Sequence, residues 1–537
     1  MTAHSLFSFL KKNSFLWQLI LLIVLNYVLS RYFYASLPHS SDIYEQPSIF
    51  LGLYEGVTSP FIVLLLSPFL LYKQRWSTIF NEQKSIQYFV LFITFLWAWY
   101  VITLDFNLYF NQAYHLDRVM LLILLGLSIR SPIWFLYFLI FSLLFLNQLN
   151  YPSLQFSFPA HYNNPRPLLD ILILFGTFML IKRVYKKFSI VLFFIAVVCL
   201  HASNYFIPGL GKMIISEHYF DWVWVNDLSN IMVARYTHGW ATDLISLENV
   251  LTLAKHLQEW TILAQVITFL SQILVLIVFI NKRFSLLLFL SFELLHLGVF
   301  IATGIFFWEW ILINLAIVYT INKLNFQQRK QIFNLKVMLV AIPFIFLGNG
   351  VFNASVLAWY DTPLHNYFDV YAVDENDNEY KMDKNLFAPY EQLLYRSNYT
   401  SYLETNVMTT WSCSSQEMMQ ALTKLSNETN NSTQIQDTIS RLEEKYGYNE
   451  FNIKQQKIFE AFIQRYVKNL NQQPHKKLLW NYLTPFKHIY YRLNWDRDID
   501  NLPKIKSITI KFYKKFYNHN NNTLMTLEEK NLCTIKI

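Results

Sequence analysis

Long apolar segments alternate with short polar segments over the first two thirds of the chain. A membrane-spanning helix needs about 20 largely apolar residues, and fewer when it is tilted or re-entrant. The segments that meet this description lie at residues 15–33, 56–72, 86–104, 118–129, 132–146, 167–181, 188–207, 257–280, 284–303, 305–321 and 337–357. Those at 118–129, 132–146 and 167–181 are short and equally typical of a tight hairpin or of half-helices. We therefore predict an all-α polytopic membrane domain of about 9–11 transmembrane helices over residues 1–357.

The pattern changes after Tyr360, where the apolar runs shorten and acidic and basic residues become nearly balanced. In "YFDVYAVDENDNEYKM" apolar side chains alternate before an Asp/Asn-rich turn, which is typical of a β-hairpin. "KSITIKFY" alternates in the same way, whereas residues 430–447 and 452–471 have helical spacing. Residues 358–537 are therefore predicted to form a small soluble α+β domain.

Basic residues are concentrated in every second connecting segment, which predicts the orientation of the chain. The Lys/Arg-rich segments are the N-terminus, 73–85, Arg130, 182–187, 282–283 and 323–336. The segments 35–55, 105–117, 147–166 and 208–256 and the C-terminal tail are poor in Lys and Arg. Cytoplasmic loops carry the excess of Lys and Arg, so a cytoplasmic N-terminus and a non-cytoplasmic tail are predicted. Residues 1–34 are interpreted as the first span rather than a cleaved signal peptide.

Composition supports a lipid environment and weakens the case for other partners. Hydrophobic residues make up 54% of the chain, aromatic residues 18% and charged residues only 15%, whereas soluble domains carry about 25% charge. The net charge is +8, but the sequence has no basic run of five or six residues. The bilayer is therefore predicted as a partner, and nucleic acid is not. Lys-, Asn- and Ile-rich usage favours a bacterial inner membrane with a periplasmic tail. Cys413 and Cys533 are predicted either to pair or to remain free thiols.

The segment "CLHASNYFIPGLGKMIISEHYFDWVWVNDLSNIMVARYTHGW" holds the densest set of candidate functional side chains. Gly209 and Gly211 follow Pro208 and permit tight turning or close packing, which places Lys212 on a re-entering or interfacial stretch at the non-cytoplasmic boundary. Loss of hydration there favours a neutral amine, which can act as a general base. The alternative is a lysine that reaches the lipid headgroups.

Other polar side chains near the same face remain open to two interpretations. The aromatic residues Trp222, Trp224, Tyr236 and Trp240 could line a pocket for an apolar cofactor or form an interfacial belt. Glu293 and His296 stand three apart on one helix face and either handle a substrate or tie two helices together. If the connecting segments converge, further members of a polar cleft are Asp105, His115, Asp117 and Arg118. The histidines at 201, 218 and 238 lack ligand spacing, so no metal site is predicted.

Two of these segments resemble a known family. "SNYFIPGLGKM" with the Trp residues after it resembles the signature of vitamin K-dependent gamma-carboxylases, in which an aromatic-rich helix ends in Gly-x-Lys-Lys-hydrophobic followed by Trp; Lys212 matches the second lysine. "FELLHLGVFIATGIFFWEWILINLAI" is similar to a later helix of that family, and His296 matches its histidine. Both signatures belong to the wider horizontally transferred transmembrane (HTTM) domain family, and the similarity spans about residues 60–325. Gly211 replaces the first lysine of the motif, and His115 is offset from the family's Asn-His stretch.

The resemblance implies a carboxylase-like enzyme with an active site on the non-cytoplasmic side. In that family the matched lysine deprotonates reduced vitamin K, whose oxygenation yields the base that removes a glutamate γ-proton for CO2 addition. By this resemblance the cofactor is reduced vitamin K or another quinone, and the substrate is a glutamate-containing protein or peptide. The implied catalytic residues are Lys212, His296 and His115, and the implied cofactor-binding residues are Trp222, Trp224, Trp240 and Tyr205.

Two functions from other classes are compatible with the same sequence. A transporter or flippase would place Asp105, Asp117, Glu293 and His296 along a substrate or proton path. A non-catalytic membrane anchor or assembly factor would use the tail to bind partners, and Lys212 would then be replaceable without consequence.

Overall fold

The chain forms a helical bundle followed by a tail that combines a β-sheet with helices. The computed structural model describes residues 14–38, 47–58, 60–80, 83–104, 114–148, 165–387, 399–408, 411–472, 479–491 and 503–537. Every apolar segment predicted from the sequence contains a helix. Asp105, Lys11 and Lys12 lie outside the described residues.

The helices of the bundle agree with the predicted segments to within a few residues at most ends. In chain order they are α1 Ser14–Ala35, α2 Ser48–Thr58, α3 Phe61–Leu66, α4 Trp76–Phe80, α5 Lys84–Thr103, α6 His115–Ser128, α7 Pro132–Gln148, α8 Arg166–Val184, α9 Ile190–Ile215, α10 Asp221–Val225, α11 Leu228–Thr237, α12 Leu247–Leu274, α13 Lys282–Thr303, α14 Trp308–Lys323, α15 Phe326–Ile332, α16 Leu335–Phe346 and α17 Gly348–Phe352.

Within the described residues, five helices are long and apolar enough to cross a bilayer, or six if the bent pair α2–α3 with its 3-10 extension counts as one. The five are Ser14–Ala35, Lys84–Thr103, Ile190–Ile215, Leu247–Ile277 and Lys282–Thr303. The count is below the predicted 9–11 because other predicted spans form shorter helices, such as α7 and α16. Helix α8 is long enough to cross a bilayer but is not among the five, because it carries four charged residues, Arg166, Asp170, Lys182 and Arg183. Several helices of these lengths and compositions could span a membrane, which suggests a membrane protein.

Helix α9 occupies the centre of the bundle, with nearly all of its residues buried. It begins at an N-cap, where the Ser189 hydroxyl accepts from the Val191 amide. The sequence predicts an end near residue 207, but this is wrong, because the helix continues through Pro208 to Ile215. Of the two roles considered for Gly209, the structure has close packing: a Cβ there would lie 2.9 Å from the Gln272 Cβ on α12.

The tail is built around a four-stranded antiparallel sheet in the order β3-β2-β5-β6. The strands are β1 Tyr360–Asp361, β2 Leu364–Asp374, β3 Glu379–Lys381, β4 Ser412–Cys413, β5 Ile505–Asn518 and β6 Thr523–Lys536. The helices are α18 Gln416–Glu428, α19 Ser432–Tyr446, α20 Ile453–Gln472 and α21 Leu479–Tyr482. The predicted hairpin is confirmed as β2–β3, and the two predicted helices are confirmed as α19 and α20. Phe368 of β2 lies opposite Phe512 of β5 and packs on Phe459 of α20.

The cysteines are all free. Cys413 pairs with Tyr360 in the small β1–β4 sheet, whereas Cys533 lies opposite Ile510 in the four-stranded sheet. Of the two predicted alternatives, the structure therefore has free thiols rather than a disulfide.

The tail is seated on the Lys/Arg-poor ends of the helices. Trp222 donates from its indole N–H to the carbonyl of Trp359, and Phe306 donates from its amide to the carbonyl of His488. At the opposite end of the bundle, Gln328 and Gln83 bond two of the basic connecting segments to each other. The alternation of basic and non-basic segments thus corresponds to two faces of the bundle.

Candidate functional site

A cluster of buried polar side chains lies where α9, α13 and α14 meet. His201 and Asn314 are joined through Nε2 and Oδ1 at 2.7 Å, and the Asn314 amide donates to the Tyr205 hydroxyl at 2.8 Å. The Tyr205 ring stacks on Phe292 with centroids 3.6 Å apart, and the His296 ring lies 5.8 Å from it. The predicted residues Tyr205 and His296, which are far apart in sequence, are therefore neighbours. We call His201, Tyr205, Glu293, His296, Trp310 and Asn314 the polar cluster.

Several polar atoms of this cluster are buried without a hydrogen-bond partner among the described residues. They are Nδ1 of His296, Nδ1 of His201, Nε1 of Trp310 and Oε1 of Glu293. A buried polar atom without a partner costs free energy, so such atoms at a cluster of ionisable groups inside helices indicate a function. The surroundings are aromatic, since Trp310 packs edge-on to both Tyr205 and His296. The cluster therefore offers aromatic faces and unused hydrogen-bonding atoms together.

Lys212 lies on the same helix, two turns beyond Tyr205 towards the tail. Seven residues correspond to about 10 Å along an α-helix and return to nearly the same face. The Lys212 side chain runs back along the helix, and its amine donates to the carbonyl of Pro208 at 3.4 Å. It also donates to Oε1 of Gln272 at 3.2 Å and to the carbonyl of Leu357 at 3.3 Å. The amine is buried, and all three acceptors are neutral oxygens.

The Trp222 ring completes the surroundings of the lysine. The Lys212 amine lies 5.1 Å from the centre of that ring, within the range of a cation–π contact. The Trp222 backbone amide bonds the Ser216 hydroxyl, which itself donates to the Lys212 carbonyl. The turn after α9 thus places Trp222 of α10 over the end of α9. Among the predicted catalytic and cofactor-binding residues, the structure thus brings Lys212 and Trp222 together.

Asp361 joins the tail to this region through a double contact with Asn226. The Asn226 side chain donates to Oδ2 of Asp361 at 3.0 Å and accepts from the Asp361 amide at 2.6 Å. The second carboxylate oxygen accepts from the Trp359 indole at 3.0 Å. Burial raises the pKa of Asp361 to about 7, although these two donors and the charge of Lys212 favour the carboxylate. The first strand of the tail therefore fixes Leu357 and Trp359 against Lys212 and Trp222.

The remaining predicted site residues lie elsewhere. Trp224 is 63% exposed, and the Trp240 indole donates to the carbonyl of Ile301 at 3.1 Å. His115 is exposed and accepts from the Trp480 indole at 3.0 Å through Nδ1. None of these contacts includes Lys212 or the polar cluster. The predicted set thus divides into Lys212 with Trp222, Tyr205 with His296, and three separate positions.

The flanking candidates Asp117 and Arg118 have structural contacts. The Asp117 carboxylate accepts from the Ser48 amide at 2.8 Å, and Arg118 donates to the carbonyl oxygens of Ile102 and Leu104. Both side chains are buried at the start of α6. They connect the ends of three helices rather than lining a cleft with Lys212.

Sequence reasoning missed Asn314, Trp310, Gln272 and Asp361. Asn314 lies within the apolar run of α14. A polar amide side chain in such a run is a sequence signal that could have identified it. Gln272 is likewise a polar residue in the apolar second half of α12. Asp361 has no such signal, because it lies where the sequence becomes polar. Among the described residues, no three His, Cys, Asp or Glu side chains are placed to hold a metal ion.

Comparisons with known proteins give no family for the chain: no protein-family model, no curated protein and no solved structure matches it.

Proposed function

We propose that the chain is an integral membrane enzyme of the HTTM, vitamin K-dependent gamma-carboxylase-like type, in which Lys212 is the general base. The observation that carries the proposal is the buried Lys212 amine, which touches three neutral oxygens and one aromatic ring. The described residues place no carboxylate within ion-pairing distance of it. Burial favours the neutral amine and the oxygens stabilise the ammonium, so the site accommodates both protonation states.

The polar cluster has the chemistry to bind the ring of a quinone. Tyr205, Phe292 and Trp310 surround the cluster with aromatic rings, and the buried Nε1 of Trp310 and Nδ1 of His296 lack partners among the described residues. A quinone presents a planar ring with oxygens at opposite ends, which such donors recognise. Trp224 is exposed and Trp240 bonds the carbonyl of Ile301, so neither contributes to this cluster.

The division of roles follows from these positions. When bound, a reduced quinone supplies the reducing equivalents that a carboxylase of this type consumes. Tyr205, His296 and Trp310 orient the ring, and the helices around them exclude water. Lys212 Nζ takes up a proton, and the carbonyl oxygens of Pro208 and Leu357 with Gln272 hold the resulting ammonium.

The substrate is a glutamate-containing protein or peptide. In the proposed orientation, the N-terminus is cytoplasmic and the tail is periplasmic in a bacterial inner membrane.

The test is incorporation of labelled CO2 into a glutamate-containing peptide by the purified full-length protein with reduced vitamin K or another reduced quinone. We expect Lys212→Ala to lower the rate about 100-fold or more, since general-base groups contribute this much. The matched control is Lys255→Ala, an exposed lysine on α12, which should leave the rate unchanged.

Melting temperatures of both variants show whether they are folded. Full activity in a folded Lys212→Ala protein would overturn the role of Lys212 as the base. Absence of activity in folded wild-type protein with several quinones would overturn the reaction.

A second candidate function is proton-coupled transport, which the carboxyl groups in the helices favour. Glu293 contributes to the polar cluster and Glu309 is buried at the start of α14, and both have an oxygen without a partner among the described residues. If protons pass through the cluster, Glu293→Gln should slow the collapse of a pH gradient in proteoliposomes. Glu248→Gln, at the exposed start of α12, is the matched control. Equal rates in wild type and both variants would contradict transport.

A further inference from the structure

Residues 479–491, which we call the strap, cross the ends of several helices on the tail-bearing face. The Trp480 indole reaches His115 at the start of α6, and the carbonyl of Leu483 accepts from the Trp99 indole at 2.7 Å. Farther along, the amide of Tyr490 donates to the carbonyl of Gly304 at 2.9 Å. These contacts are to the last turn of α5, the first turn of α6 and the α13–α14 connection. The strap therefore lies at the level of the helix ends.

The outer side of the strap is apolar and exposed. Leu479 is 66% exposed, Tyr482 70%, Leu483 48% and Phe486 53%. Leu479 and Tyr482 stand three apart on one side of α21, and Leu483 follows directly. The Trp480 indole contacts His115 instead. A water-soluble domain rarely exposes such a contiguous apolar patch without a partner. The position of the patch at the helix ends indicates which partner covers it.

The patch continues a lipid-facing stripe of the bundle. On α5 the exposed side chains Tyr88, Leu91, Phe92 and Phe95 recur at helical spacing along one side of a helix long enough to span a bilayer. The Phe95 ring stacks on Trp99, whose ring lies 5.9 Å from that of Phe486 on the strap. The apolar surface thus runs without interruption from the middle of α5 to the strap. Aromatic residues at such a level are typical of the membrane interface.

We propose that the strap is an interfacial membrane element, with Leu479, Tyr482, Leu483 and Phe486 inserted into the headgroup region of the bilayer. Its partner is the lipid surface, and the tail is therefore held to the membrane by side chains of its own as well as by the helices. The proposal does not depend on the carboxylase reaction. On the inner side of the strap, the His488 ring lies 5.0 Å from the ring of Phe307, which in turn contacts the His296 ring.

The test is fluorescence quenching of a label on the strap in lipid vesicles. Bimane is attached to Tyr482→Cys in full-length protein carrying Cys533→Ser, which leaves the buried Cys199 and Cys413 as the native thiols. The matched control is Tyr448→Cys, an exposed tyrosine that pairs with Val407 within the tail. In phosphatidylcholine vesicles with nitroxide-labelled lipid, we expect the label at 482 to lose most of its emission and the label at 448 to keep its emission.

Aqueous iodide supplies the reverse comparison, because it should quench the label at 448 and spare the label at 482. Two results would overturn the proposal. Quenching of the label at 482 by iodide but not by lipid would place the strap in water. Protection of that label from both quenchers would show that protein, such as a second copy of the chain, covers the patch.

Discussion

Asp361 is the side chain whose charge state connects the tail to the lysine site. Its carboxyl group is buried, receives N–H donors from Asn226 and Trp359, and interacts with the charges of Asp227 and Lys212. Because burial dominates, the folded protein holds a proton on this group more tightly than an unfolded chain does. The tail's attachment is therefore sensitive to pH near neutrality.

The pH dependence can be isolated with Asp361→Asn, which is neutral at every pH. The pKa of Asp361 is about 7 in the folded protein and about 4 in an unfolded chain. Its stabilising contribution is fully present below about pH 4 and is lost as pH rises through about 7. Relative to the Asn variant, the wild type should therefore lose about 2–4 kcal/mol of unfolding free energy between these values. Melting curves of the two proteins measured across this range check the difference, and parallel curves would contradict it.

At the residue scale, the sequence indicates which residue types are candidates for a site, but it does not indicate which residues they contact. Lys212, Trp222, Tyr205 and His296 are all buried. His115 faces the strap instead, because its neighbour Trp480 comes from a part of the chain 365 positions away. Contacts of this kind depend on tertiary packing, which periodicity and spacing do not encode.

At the element scale, the end of α13 shows how one residue sets the position of two segments. Gly304 caps the helix with φ of 70°, a left-handed conformation that favours glycine. A Cβ there would lie 2.6 Å from Trp240 ring atoms and 2.6 Å from the carbonyl oxygen of Tyr490. The α13–α14 connection, Trp240 and the strap therefore meet at a point that excludes any side chain.

Gly304→Ala should accordingly destabilise the protein by about 2–4 kcal/mol, from backbone strain and steric overlap together. Gly298 on the same helix is the matched control, because its Cβ would meet nothing within 4 Å. Gly298→Ala should stabilise the helix by up to about 1 kcal/mol. Thermal unfolding of both variants measures the difference, and a similar small effect in both would show that the end of α13 can rearrange.

Most helices were predicted to within a few residues because hydropathy determines their positions, whereas the end of α9 was not. The segment predicted at 284–303 is found as Lys282–Thr303. The α9 end was misplaced because Pro208 and the glycines after it are typical of a break. Packing against Gln272 and Val356 stabilises the last turns instead, and Gly209 and Gly211 make that approach possible. Tertiary contacts therefore override the local signal.

At the scale of the whole molecule, the bundle has two chemically different faces. Basic connecting segments lie at one end, and the tail covers the other through contacts with α5, α6, α10, α11 and the α13–α14 connection. The proposed orientation places the basic face in the cytoplasm. The alternation of charge was readable from the sequence, but which helix ends the tail would cover was not, because its contacts depend on the sheet and strap.

The orientation is tested with single cysteines at exposed positions on the two faces. In intact cells, a membrane-impermeant maleimide should label Asn449→Cys in the tail and leave Lys336→Cys unlabelled until the cells are permeabilised. Both positions are exposed, so accessibility within the protein is matched. Labelling of Lys336→Cys alone would reverse the orientation, and labelling of both would contradict the two-face arrangement.

Pro208 interrupts the backbone hydrogen bonds of the central helix α9. Proline has no N–H, so the carbonyl of Asn204 has no amide donor one turn later. This gap falls between Tyr205 and Lys212. The carbonyl of Leu357 holds Lys212 on one side of the gap, whereas Asn314 holds Tyr205 on the other. The lysine site and the polar cluster are therefore separated by one missing backbone hydrogen bond of α9.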